Sequence, residues 1–155
     1  MSKKTSTLIF IIIALAIVGL ADTSYLTTKH YSEASIVCNI FDKCDIVTSS
    51  KYNNIAGVPI SMIGVIYYLS IIFLVNLYLF LKKNLIIKIA TSLSMIAFLF
   101  SVWLVYLQFF VLNAVCGYCM LSATVSTLIF VTIIFLSKIS KAEFENKNFE
   151  KTLTE

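Results

Sequence analysis

Ala114–Met120 reads AVCGYCM, and it stands where one long apolar run ends and another begins. It holds two of the chain's four cysteines, Cys116 and Cys119. Working outward in both directions, the chain is too apolar for a water-soluble domain. Hydrophobic residues make up 59% and charged residues 13% of its 155 positions, where about 25% charged is usual. Runs near or above the roughly 20 apolar residues that cross a bilayer lie at about 8–25, 58–81, 85–112 and 117–137. The expected fold is an all-α membrane protein, a four-transmembrane-helix bundle with a long extracytoplasmic loop, 28–57, between helices 1 and 2. The runs are too long and lack the dyad alternation of membrane β-strands.

The first run has a competing reading. Lys3 and Lys4, an apolar core from Leu8 to Ala21 and small residues after it also describe a signal peptide. Against that, TSYLTT continues a helix-compatible pattern to Thr28, and three helices would leave one face uncovered. Asp22 is the cost of a spanning helix. A carboxylate at mid-bilayer costs about 2.5–3.5 kcal/mol on insertion scales, less at the end of a span.

Lysines orient the bundle. Nine of them (Lys3, Lys4, Lys82, Lys83, Lys88, Lys138, Lys141, Lys147 and Lys151) fall on the side of the termini, against Lys29, Lys43 and Lys51 on the other. Both termini are therefore expected in the cytoplasm, and the 28–57 loop and the short turn near 113–116 outside. Residues 1–137 are expected to form the transmembrane unit. Residues 138–155, with four lysines and four glutamates, form a charged, helical cytoplasmic tail. The net charge of +4 is this topological bias, and nothing suggests nucleic acid.

All four cysteines then lie on the oxidising side. Cys116-Gly117-Tyr118-Cys119 opens a helix, where free N–H groups and the positive end of the helix dipole favour thiolate. Cys38 and Cys44 sit six apart in a polar loop. Two dithiols in series can pass electrons by thiol–disulfide exchange. The alternatives are a non-catalytic membrane protein with a disulfide-clamped outer loop, or one with zinc on four thiolates. His30, the sole histidine, reads as interfacial.

The segments VCNIFDKCDIVTSSKYNNIAGVPISMIG and YLQFFVLNAVCGYCMLSA, in this order and on this four-span layout, resemble the vitamin K epoxide reductase family in its bacterial and archaeal branch. Disulfide bond formation protein B shares the chemistry but carries its two cysteine pairs in the opposite order. The resemblance implies a quinone-dependent thiol oxidoreductase. A separate thioredoxin-fold oxidase passes electrons to Cys38/Cys44, these reduce Cys116/Cys119, and a quinone, menaquinone or ubiquinone, takes them from Cys119. Ser50 matches a family serine that supports the loop pair or the quinone site. No metal is implied. By motif position the quinone pocket takes in Ile60, Ile63, Tyr67, Leu104, Gln108 and Ala123. Trp103, Tyr106, Phe109 and Phe110 are either its wall or an aromatic belt. Gly57-Val58-Pro59 reads as the hinge into the second span, with Pro59 at the first helical position. The chain departs from the vertebrate branch, having Ala123 for a tyrosine and Ile60 for an asparagine, which argues against epoxide recycling. At 155 residues no fused thioredoxin-like domain is expected.

Overall fold

The computed structural model describes residues 3–32, 54–55 and 57–153. Cys38, Cys44 and Ser50, and most of the expected outer loop, lie outside the described residues. Helix α1 runs Lys3–Tyr31, α2 Ile60–Leu81, α3 Asn84–Tyr106 and α4 Gly117–Leu153. All four are long and apolar enough to cross a membrane. The 22 residues of α2 rise about 33 Å, close to one hydrocarbon thickness. Helix α1 continues past Tyr25 to Tyr31, and α4 carries on through the charged tail to Leu153.

Two short strands precede α2. β1 (Asn54–Ile55) pairs antiparallel with β2 (Val58–Pro59), Asn54 opposite Pro59 and Ile55 opposite Val58. Gly57 has φ +84°, a left-handed conformation in which glycine carries no Cβ penalty. The sequence suggested a hinge here, and the structure makes it a hairpin. Pro59 is the N-cap of α2 with φ −66° and ψ 140°, one position earlier than expected. At the other end of α2, Lys82 takes φ 49° and donates its N–H to the Tyr78 carbonyl, so two lysines suffice to turn the chain into α3.

Lipid offers no hydrogen bonds, so polar side chains in the spans must be satisfied internally. Many turn back on their own helix: Thr27 Oγ1 donates to Thr23 O at 2.7 Å, Ser70 Oγ to Ile66 O at 2.7 Å and Thr91 Oγ1 to Ile87 O at 2.8 Å. A chain of side chains joins three helices at the lysine-turn end. There Ser140 Oγ lies 3.1 Å from Tyr78 Oη and donates to Asn84 Oδ1 at 3.0 Å.

The core has helical spacing: Ile9, Ile12 and Ala16 on α1, Tyr68, Ile71 and Val75 on α2, and Val125, Ile129 and Ile133 on α4. The outer faces are equally apolar, with Phe10, Phe73 and Phe80 exposed, as lipid contact requires. Helix α1 packs on α2 and α4, and α4 on α3, whereas α2 and α3 meet less extensively. The α1–α2 crossing is made by glycines, which let backbones approach closely. A Cβ at Gly19 would overlap the Tyr68 ring, and one at Gly64 would lie 2.7 Å from Thr23 Cγ2. Tyr68 passes Gly19 and reaches α4, where its hydroxyl lies 3.0 Å from Ser122 Oγ and donates to Ser122 O at 3.1 Å.

Gly19→Ala is expected to displace a rigid ring rather than a flexible chain end. The loss should be about 1–3 kcal/mol, measured as a lower thermal unfolding midpoint in detergent. Gly19→Ala combined with Tyr68→Leu should recover part of it.

Candidate dithiol site beside an apolar cavity

The site is built by the way α3 ends. Its last turn widens into a π-helical segment, Leu107–Val111, a feature frequent at functional sites. Asn113 follows with φ +45°. Gln108 then holds the incoming turn twice: its carbonyl accepts from Ala114 N at 3.2 Å, and its side-chain Oε1 accepts from Cys116 N at 2.9 Å. Both Gln108 and Cys116 are buried, so this amide–carbonyl bond has no competition from water.

Cys116 occupies the capping position of α4. Its carbonyl accepts from Met120 N at 3.0 Å, and its Sγ accepts from Cys119 N at 3.4 Å. This is the N-cap arrangement that serine or aspartate usually supplies, here made by sulfur. The Cys116 thiol is held below its ordinary value by a hydrogen bond from the Cys119 side chain, helped by the Cys119 and Tyr118 amides, against the opposing effects of burial and of the Asp22 charge. The thiolate is thus favoured at the residue that caps the helix. Cys116 and Cys119 are both free thiols.

The two sulfurs have different surroundings. Cys116 is fully buried, under Leu26 and beside Tyr25 and Tyr118; the two tyrosine rings lie 5.3 Å apart. Attack on its sulfur from outside therefore requires this cover to move. Cys119 lines a cavity of about 340 Å³, within the usual range for small-molecule sites.

Ile60, Ile63, Tyr67, Leu104, Gln108 and Ala123 all line that same cavity. Trp103, Tyr106, Phe109 and Phe110 do not; they are exposed on the outer face, and Tyr106 stacks on Phe110 at 4.8 Å. The aromatic-belt reading suits them, and Phe100 supplies the aromatic side of the wall. His30 is also part of the lining, edge-on to Tyr31 at 5.7 Å.

The walls are apolar with few polar groups. The Tyr67 hydroxyl is buried beside that of Ser94. Gln108 spends its oxygen on Cys116, which leaves its amide N–H groups as donors. Among the described residues no group of three His, Cys, Asp or Glu could hold a metal ion. Sequence reasoning missed Ser122, Ser126 and Thr23 in the lining. Small hydroxyl residues recurring along α4 were the available signal, but in lipid-spanning helices such residues commonly bond their own backbone.

Gln108→Leu should leave the buried Cys116 N–H without an acceptor. The expected cost is about 1–3 kcal/mol, together with a shift in the Cys116–Cys119 redox equilibrium, measured by titration against a thiol–disulfide buffer. Gln108→Glu, which keeps an acceptor oxygen, should shift it less.

No curated protein matches the chain. A family model described as the vitamin K epoxide reductase family matches residues 10–134, a span that includes α1 from its second turn, all of α2 and α3, and α4 through the cavity wall. Four membrane-spanning helices, a C-x-x-C capping the last of them and the extent of this match lead to one conclusion: the chain belongs to the vitamin K epoxide reductase family, and with it to the membrane thiol oxidoreductases.

Proposed function

We propose that the protein oxidises dithiols outside the cytoplasm and passes their electrons to a membrane quinone. The observation that carries this reading is the asymmetric pair: Cys119 opens into an apolar cavity inside the membrane-spanning bundle, while Cys116 caps the helix with its sulfur accepting the Cys119 N–H. A lipid-dissolved two-electron acceptor suits such a cavity. The Tyr67 hydroxyl and the Gln108 amide are donors suited to a quinone carbonyl oxygen.

In this reading a separate thioredoxin-fold oxidase, reduced by its clients, delivers electrons to Cys38/Cys44, with Ser50 supporting that pair. The loop pair reduces the Cys116–Cys119 disulfide. Menaquinone or ubiquinone then takes two electrons and two protons, with Ile60, Ile63, Leu104 and Ala123 as walls for its ring. The lysine distribution supports a multi-pass protein with both termini cytoplasmic and the cysteines outside. Residues 1–137 are the reductase unit and 138–155 its tail.

Cys116→Ala and Cys119→Ala should each abolish quinone reduction. Cys38→Ala and Cys44→Ala should block oxidation of the thioredoxin-fold partner while leaving reduction of quinone by a small dithiol. The direct measurement is thiol state by alkylation mass shift after mild reduction, with and without quinone. Re-formation of the Cys116–Cys119 disulfide by quinone is expected, and thiols that stay reduced would favour the clamp or zinc reading.

Ala123→Phe should fill cavity space beside Cys119. The expected effect is a rise of about tenfold in the quinone KM, equivalent to about 1.4 kcal/mol of lost binding, without loss of the Cys116–Cys119 disulfide.

A further inference from the structure

Asp22 is the buried ionisable group that the scheme above leaves unused. It is 7% exposed, lies within a span, and neither carboxylate oxygen has a hydrogen-bond partner among the described residues. An intramembrane carboxylate in that state is costly, and such residues commonly mark proton or ion handling. Its place is specific. Gly19, one turn before it, receives the Tyr68 ring; Leu26, one turn after it, packs on Cys116. Asp22 does not line the cavity that Cys119 faces.

The titratable groups within its electrostatic reach are Tyr68 from α2, and Cys116, Tyr118 and Cys119 from α4. Tyr25 is one turn away on α1, with Lys29 Nζ on the far side, 5.8 Å from the centre of its ring. Among the described residues no cation bonds the carboxylate. A buried site holding two acids and no paired cation tolerates one negative charge more readily than two. Thiolate at Cys116 and carboxylate at Asp22 therefore disfavour one another, and the proton lost by one is best kept by the other.

We infer that Asp22 is the proton carrier of the dithiol: it takes the Cys116 thiol proton as the disulfide closes and returns it as the disulfide opens. This rests on the quinone-reductase reading. In the closing half, the Cys116 S–H bond breaks, the proton passes by way of a water to Asp22, to which the thiol makes no direct hydrogen bond, and the sulfur's electron pair forms the bond to Cys119. Two electrons and the Cys119 thiol proton go to the quinone, which draws its second proton from the outer water. In the opening half, a loop thiolate, its proton lost to water, attacks the disulfide. The loop pair is oxidised, the second loop thiol's proton goes to Cys119, and Asp22 returns its proton to Cys116. The sum is loop dithiol plus quinone giving loop disulfide plus quinol.

The test uses the full chain in lipid nanodiscs, as wild type, Asp22→Asn and Asp22→Glu. Two quantities are read: Cys116 ionisation, from thiolate ultraviolet absorbance differenced against Cys116→Ser, and quinone reduction driven by dithiothreitol. With asparagine, Cys116 should ionise about one pH unit lower, because the like charge is gone. Quinone reduction should nevertheless slow by about a hundredfold, because the proton acceptor is gone. Glutamate should restore most of the rate. A structural role for Asp22 would not move the two readouts in opposite senses. Wild-type turnover in Asp22→Asn would overturn the inference, as would slow turnover with an unmoved Cys116 titration. If the wild-type chain reduces no quinone, the functional reading falls by itself. The Cys116 titration then decides Asp22 alone: a downward shift in Asp22→Asn supports charge sharing, and no shift refutes it.

Discussion

Tyr68 crossing the face of Gly19 is the contact on which the site depends. The missing side chain on α1 lets a ring from α2 pass and bond Ser122 on α4. Three helices are thereby locked at one level, and that level is one turn beyond Cys119. Tyr68 is almost fully buried, while its neighbour Tyr67 turns to the cavity wall. Consecutive residues on a helix point about 100° apart, so fixing one tyrosine aims the other. Asp22 is buried a turn along from Gly19.

The chemistry is then made by interrupting regular structure at a single place. Along the spans, hydroxyls bond carbonyls of their own turn, and apolar side chains fill the core or face lipid. At the end of α3 the helix widens, and Gln108 spends main-chain and side-chain acceptors on the following turn. Cys116 arrives at the cap of α4 with its backbone N–H held, and its sulfur accepts the Cys119 N–H. Asp22 is a buried side chain left unpartnered among the described residues. Thr5 is another, at the opposite end of α1.

Much of this was legible before any coordinates. Bilayer crossing imposes a length and an apolarity that composition reports directly, and so the four helices stand in the sequence with ends that differ by only a few residues in most cases. The C-x-x-C at a helix start could be read because a thiol there meets N–H groups whatever the rest of the fold does. The six positions named from the resemblance line one cavity. The hairpin before α2 and the π-helical turn could not be read. Strands of two residues have no periodicity, and a π turn follows from how the chain must meet Cys116 rather than from local preference.

The sequence by itself determined the class of solvent, the number of spans and the placing of Cys116 and Cys119 at a helix start, because these depend on local composition and short spacing. Only the tertiary structure decided that Cys119 faces the cavity and Cys116 does not, that the exposed aromatic residues near the end of α3 stay outside it, and that Asp22 is buried one turn from Leu26, which packs on Cys116. In lipid every face of these helices is apolar, so hydrophobic patterning cannot say which face turns inward. That choice is made by close packing, a glycine meeting a tyrosine ring, and by the few hydrogen bonds that cross between helices.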